Sequence, residues 1–268
     1  MVWGTSSWAG KSLITTALCA SLRRRGLRVE PFKAQNMSNN ARVVDGGEIG
    51  AAQYFQALAA GVTPGVEHNP VLLKPEADTR SQVVVLGRVD RDLTEMPWRH
   101  RSERLWGTVR DAYERVSRRC DVVVIEGAGS PAEVNLADVD LANLRVARHA
   151  EARAILVCDI DRGGAFAHLF GTWSLLEPSD RERIAGFVLN RFRGDPDLLA
   201  PGPDILARLT GVPTLGVVPM VAHGLPDEDG ADPRPGPGRG RRVRIVRGPA
   251  ASRPVTAWSS APPASLRP

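Results

Sequence analysis

The hydrophobic positions of this chain fall into two patterns that take turns. One is a short, mostly apolar run, found at Leu27 to Phe32, Val71 to Leu73, Gln82 to Leu86, Val122 to Ile125, Ala154 to Cys158, Ile184 to Leu189 and Thr214 to Val218. Such runs, several of them rich in β-branched residues, predict strands covered on both faces. The other is a longer stretch at helical spacing: Leu13 to Arg25, about Ala51 to Ala60, and Arg99 to Arg119, where Leu105, Val109, Ala112, Tyr113 and Val116 share one face. Strands and helices in alternation predict an α/β fold, a doubly wound, mostly parallel sheet with helices on both faces. Only Met1-Val2-Trp3 is available for a first strand, so either the true start lies upstream or that strand is abbreviated. Beyond about Pro226 the alternation stops, and Gly, Pro and Arg dominate apart from the brief apolar run Val243 to Val246. The expected organisation is therefore one domain over 1–229 and a disordered tail over 230–268.

Composition narrows the class. The chain of 268 residues is 43% hydrophobic and 24% charged, ordinary for a globular domain. No apolar run approaches the roughly 18 residues that a membrane span needs, and no charged-then-apolar leader opens the chain, so a cytoplasmic protein without a membrane partner is expected. The pI near 9.6 invites a nucleic-acid reading. Eight arginines against one aspartate follow Ala231, however, which leaves the preceding residues slightly acidic. Nucleic acid is therefore not an expected partner. Cys19, Cys120 and Cys158 are far apart in apolar surroundings, which predicts buried reduced thiols. The five histidines show no ligand or triad spacing and read as structural or surface residues.

Candidate chemistry begins at Gly4-Thr5-Ser6-Ser7-Trp8-Ala9-Gly10-Lys11-Ser12. A loop of small residues ending in Gly-Lys-Ser at the start of a helix turns backbone N–H groups toward one point and so grips phosphate. In the pattern G-x-x-x-x-G-K-[ST] the lysine reaches the β and γ phosphates and the hydroxyl ligates Mg²⁺. Thr5 stands at the first glycine position, with Gly4 one step earlier, so this is a variant loop. Only Lys11, Lys33 and Lys74 are lysine among 35 basic residues. A chain that otherwise uses arginine has kept three compact ammonium groups, and one is in the loop.

Further candidates collect where strands end. Lys33 closes the second strand and leads into Ala34 to Asn40, a polar stretch too rich in amides to be core. Asp45-Gly46-Gly47-Glu48 precedes a helix, where its carboxylates would hold Mg²⁺ or cap a solvated turn. Glu126, after Val122 to Ile125, stands where a nucleotide hydrolase keeps the acid that meets Mg²⁺. Asp159-Ile160-Asp161-Arg162-Gly163-Gly164 repeats the order of strand, acid and glycine pair. Asn190 ends another strand, and its amide could read a base.

Six of these segments together resemble the cobyric acid synthases of cobalamin biosynthesis: the loop Gly4 to Ser12, Pro31 to Met37, Asp45 to Gly50, Asn69 to Pro75, Glu126 to Glu133 and Asp159 to Gly164. The resemblance runs from Val2 to about Asp229 and implies a dethiobiotin-synthetase-like P-loop domain. It implies a ligase that uses ATP and Mg²⁺ to amidate the b, d, e and g carboxylates of adenosylcobyrinic acid a,c-diamide. Lys11 and Lys33 would then neutralise phosphate, and Ser12, Asp45 or Glu48, and Glu126 would hold the metal. Gly4, Thr5, Ser6, Ser7 and Gly10 would line the nucleotide site, and Asn190 would face the base. Gln35, Asn36, Lys74, Glu133, Asn135, Asp138, Asp140, Asp159 and Asp161 are the corrinoid-side candidates. The family normally continues into a glutamine amidotransferase domain with a cysteine nucleophile, and nothing in this sequence matches it. Free ammonia, or glutamine through a separate glutaminase, is thus the expected nitrogen donor, and homodimerisation is left open.

The rival readings are a related ligase, an inactive remnant of this one, or a switch ATPase of the ParA and MinD type. The last group carries a signature lysine five residues before the loop lysine, and here that position is Ser6.

Overall fold

A computed structural model describes residues 1–77 and 80–226. Along the chain come β1 (Val2–Gly4), α1 (Lys11–Arg24), β2 (Val29–Phe32), β3 (Gln35–Met37), β4 (Ala41–Val44), β5 (Gly47–Gly50) and α2 (Ala51–Ala60). Next are β6 (Val71–Ala77), β7 (Arg80–Val85), β8 (Arg88–Asp90), α3 (Arg91–Glu95), α4 (Trp98–Ser117), β9 (Val122–Ile125) and α5 (Leu144–His149). The last are β10 (Ala154–Asp159), α6 (Ala165–Leu175), α7 (Pro178–Arg181), β11 (Ile184–Phe192), α8 (Gly202–Thr210) and β12 (Thr214–Pro219).

Successive strand residues point to opposite faces, and the packing follows that period of two. Val2, Val29, Val124, Val157 and Val188 pack on one face with Ile14, Cys19 and Ala60 of α1 and α2. Their neighbours turn the other way. Trp3, Leu156, Cys158, Phe187 and Leu189 pack with Leu169 of α6 and Leu206 of α8, while Phe32 and Ile125 pack with Val109 and Val116 of α4. A sheet with both faces covered explains why its strands read as unbroken apolar runs.

β1, β10, β11 and β12 pair in that order, all parallel, and β2 pairs in parallel with β9. A parallel bridge between Val2 and Glu126 joins the two sets, giving the order β2-β9-β1-β10-β11-β12. The doubly wound parallel sheet is as expected, and β1 is indeed short, with three residues.

A second sheet was not anticipated. β3 pairs in parallel with β6, and β6, β7 and β8 continue antiparallel. The Ala34 to Asn40 stretch is thus not kept out of the interior by its amides: Gln35–Met37 is a strand, and Asn36 is buried with its amide donating to Gln53 Oε1 at 3.2 Å. Asp45 to Gly50 is likewise not a simple turn before a helix but the tip and second strand of a β4–β5 hairpin. Cys19 and Cys158 are buried as expected, whereas Cys120 is only half-buried. The expected tail over 230–268 lies outside the described residues.

Candidate active site

The loop between β1 and α1 is anchored from both ends. Thr5 N–H donates to the Val157 carbonyl at 2.9 Å, continuing the pairing of β1 with β10. Gly10 caps α1 in the left-handed region at φ 97°, a conformation that glycine adopts without strain. A Cβ there would also collide with the Asn190 amide. That amide lies beneath the loop, where its Nδ2 donates to the Ala9 carbonyl at 2.9 Å. Asn190 therefore supports the loop from inside the fold and is not among the residues lining the cavity above it, while its Oδ1 finds no hydrogen-bond partner among the described residues.

Three charged groups meet at the floor. Lys33 Nζ lies 2.7 Å from Glu126 Oε1, and both side chains are almost wholly buried. Ser12 Oγ donates to the same oxygen at 3.1 Å. Gln56 of α2 donates to Glu126 Oε2 at 2.5 Å. Lys11 Nζ donates to the carbonyls of Ser6 at 3.0 Å and Gly129 at 3.1 Å, which ties the loop to the turn after β9. Two ammonium groups against one carboxylate make the floor cationic. It is suited to a polyanion beside the start of a helix.

The electrostatic imprint of the floor reaches two turns along α1. Burial, and after it the charge on Glu126, pushes the Cys19 thiol up to about 12. Cys19 is therefore a buried thiol rather than a nucleophile.

Ser12 and Glu126 offer a hydroxyl and a carboxylate oxygen at one point, the hard donors that Mg²⁺ prefers. Among the described residues no group of three His, Cys, Asp or Glu side chains could hold a metal. Mg²⁺ commonly takes few protein ligands and completes its shell with water and phosphate oxygens, so this donor pair fits a Mg-nucleotide.

A cavity of about 480 Å³ opens over this floor. Of the expected residues, Ser7, Gly10, Lys11, Ser12, Lys33, Gln35, Asn36, Glu133 and Asp140 line it. Others do not. Glu48 holds Lys74 through both oxygens at 3.0 Å, and Asp45 is exposed in the turn of the hairpin. Asp138 pairs with Arg99 at 2.8 Å, and Asn135 is exposed. Asp159 is buried against Arg191 at 2.9 Å and Arg162 at 3.3 Å, while Asp161 meets Arg193 at 3.2 Å. Asp140 accepts backbone N–H groups from Ala142, Asn143, Leu144 and Arg145, so it fastens the start of α5 as well as lining the cavity.

Three contributors escaped the sequence reading. Gln56 is one, and the two glutamines, Gln53 and Gln56, on the buried alanine-rich face of α2 were the available signal. Asn143 is another: its Nδ2 donates to the Ala128 carbonyl at 2.7 Å and its Oδ1 accepts from Ala128 N–H at 3.2 Å, clasping the turn that follows Glu126. His223, which also lines the cavity, follows the last strand and carried no sequence signal.

Comparison with known proteins agrees with this geometry. Residues 1–224 match the family described as the CobQ/CobB/MinD/ParA nucleotide binding domain. The cobyric acid synthase of Variovorax paradoxus (strain S110) is 64% identical over 231 residues, which cover 86% of this chain and 48% of that protein. That of Leptothrix cholodnii is 65% identical over 241 residues, covering 86% and 47%. The chain spans about half the length of the curated relatives it matches. Among solved structures, the signal recognition particle 54 kDa protein of Aeropyrum pernix K1 in complex with GDP superposes with a TM-score of 0.45 at 13% identity, over 82% of this chain and 41% of that one. A matched family model over nearly all the described residues, on a parallel sheet with a Gly-Lys-Ser loop at the start of α1, makes this chain a member of the CobQ/CobB/MinD/ParA nucleotide-binding domain family.

Proposed function

We propose that this chain is the ATP-dependent synthetase part of a cobyric acid synthase, amidating the b, d, e and g carboxylates of adenosylcobyrinic acid a,c-diamide. The observation that carries the reading is the convergence of Lys11, Ser12 and Lys33 on one cavity, with Glu126 buried beneath Ser12 and Lys33, in a chain more than 60% identical to cobyric acid synthases. The phosphates of ATP bind along the Gly4 to Ser12 loop. Lys11 and Lys33 then face the β and γ phosphate oxygens, and Ser12 with Glu126 holds Mg²⁺. When bound, the ion neutralises phosphate charge that the two lysines do not reach.

A substrate carboxylate oxygen attacks the γ phosphorus, and the bond to the β–γ bridging oxygen breaks. ADP leaves and an acyl phosphate forms. Ammonia adds to the acyl carbon, inorganic phosphate departs with the former carboxylate oxygen, and a proton is lost to give the amide. In such a transfer positioning and charge neutralisation supply most of the catalysis. Lys33 serves both needs, since Glu126 fixes its ammonium group. Gln35, Asn36, Glu133 and Asp140 are the polar contacts offered to the acceptor, because they share the cavity with the floor.

Among the described residues the Cys120 thiol donates to the backbone carbonyls of Val116 and Ser117 and the Cys158 thiol to those of Asp159 and Ala165, while Cys19 is buried. None resembles a nucleophile poised beside a histidine, so the reading takes free ammonia as the donor this domain uses unaided. The test is phosphate release with Mg-ATP, the corrinoid and either ammonium or glutamine, with product masses followed. Corrinoid-dependent release with ammonium and a mass loss of one unit per amide formed supports it. Release that ignores the corrinoid points to a switch ATPase instead.

A further inference from the structure

The phosphate floor accounts for only part of the cavity. Met37, Trp98, Leu136, Val139 and Leu225 line it too. Met37 is 51% exposed and Trp98 50% exposed, so two large apolar side chains stay open to solvent in a cavity that also carries the phosphate loop. Concave sites usually combine a few placed polar groups with such apolar walls.

The wall is braced. Trp98 is the first residue of α4, and the Arg99 guanidinium lies 5.3 Å from its ring centroid. Arg99 in turn pairs with Asp138, and the Ser102 hydroxyl donates to the Val139 carbonyl at 2.5 Å. These contacts tie the first turns of α4 to the 137–139 turn that supplies Val139. A fixed aromatic surface costs little conformational entropy when a ligand lies on it.

Topology says on which side of the phosphates the wall stands. In the sheet order β2-β9-β1-β10-β11-β12 the loop leaves β1 in the middle. α4 packs on β2 and β9, and Met37 follows Lys33 by four residues, so Trp98 and Met37 belong to the β2 side. Asn190 lies on β11, across the loop from them. Lys33, the second ammonium group of the floor, ends β2. The wall is therefore on the Lys33 side of the loop, where the ligase reading puts the terminal phosphate and its acceptor.

We infer that Trp98 and Met37 form a platform for the ring of the acyl acceptor, a carboxylate-bearing molecule with a broad apolar body, holding it so that one carboxylate reaches Lys33 and Lys11. This rests on the ligase reading above and adds the residues that select the acceptor. A small polycarboxylate lacking the ring would meet the same cations without the platform.

Equilibrium binding to the full chain tests it, with adenosylcobyrinic acid a,c-diamide, tricarballylate and ADP as separate probes, for wild type, Trp98→Ala, Trp98→Phe and Met37→Ala. Loss of an aromatic platform of this size is expected to raise the corrinoid Kd roughly tenfold or more in Trp98→Ala. Trp98→Phe recovers most of that loss, Met37→Ala shows a smaller one, and tricarballylate binding does not respond. A thermal melt of each variant reports that it is folded. Wild-type corrinoid affinity in both Trp98→Ala and Met37→Ala would overturn the platform and leave the ligase reading standing. An equal loss for ADP would assign Trp98 to the nucleotide and overturn the platform as well. Failure of the wild type to bind the corrinoid while it binds ADP would end the ligase reading, and the platform with it.

Discussion

Lys33 Nζ and Glu126 Oε1 lie 2.7 Å apart at the ends of the adjacent strands β2 and β9, with almost no solvent access to either side chain. A charge pair in such surroundings is sustained by its partners. Removing Lys33 takes away a buried charge-assisted contact, worth about 1.5–3 kcal/mol, while Ser12 and Gln56 still hold Glu126. Lys33→Met is therefore expected to lower the unfolding free energy by roughly that amount, while the double variant Lys33→Met with Glu126→Leu regains much of the loss. Urea denaturation of the two variants checks this.

Gly10 is needed twice, for its backbone conformation and for its lack of a side chain above Asn190. Gly10→Ala is expected to abolish measurable nucleotide binding and to lower the melting temperature. Asn190→Ala in the same background relieves the collision but not the backbone strain, so stability returns in part and nucleotide binding does not. Calorimetric titration with ADP and a thermal melt separate the two effects.

The thiols should differ in reactivity. Burial pushes Cys19 up to about 12 and raises Cys158 and Cys120 too, but Cys120 alone is only half-buried and so open to a reagent. Iodoacetamide at pH 8 is expected to label Cys120 first and to leave Cys19 unmodified until the chain unfolds. Peptide mass mapping over a time course gives the order.

Acid should loosen the end of β2. Burial alone would raise the Glu30 carboxyl, but hydrogen bonds from His68 and Arg119 outweigh it and hold the carboxyl below its ordinary range. A lowered folded-state value means stability that is present above the unfolded carboxylate pKa, about 4.3, and lost as pH falls through the folded value. Unfolding free energy is thus expected to decline below about pH 5, and Glu30→Gln to show a shallower decline with lower stability at neutral pH. Chemical denaturation from pH 7 to pH 4 reads both slopes.

The central sheet was legible because its strands are buried on both faces, and that condition writes itself as unbroken apolar runs such as Val122 to Ile125 and Ala154 to Cys158. The floor was legible because Lys11, Ser12, Lys33 and Glu126 sit at fixed places in strand-to-loop transitions. The second sheet was not, because Gln35, Asn36 and Met37 lack strand propensity and are held by pairing with Val71 to Leu73 and by the buried amide of Gln53. Asp159 and Glu126 look alike as acids ending buried strands. Only the fold tells them apart, since Arg191 and Arg162 take the first while Lys33 and Ser12 take the second. At Asn190 the sequence leaves two roles open, since an amide at a strand end can face a ligand or brace a loop, and in the fold its Nδ2 braces the loop.

The most direct test of the whole account is isotope transfer. With the corrinoid carboxylates labelled with ¹⁸O and Mg-ATP and ammonium supplied, an acyl phosphate formed over Lys11 and Lys33 passes one labelled oxygen to phosphate for each amide made. Mass analysis of the released phosphate is expected to find one ¹⁸O per amide, and none from Lys33→Met. Unlabelled phosphate released alongside amide product, or released at the same rate without the corrinoid, would contradict it.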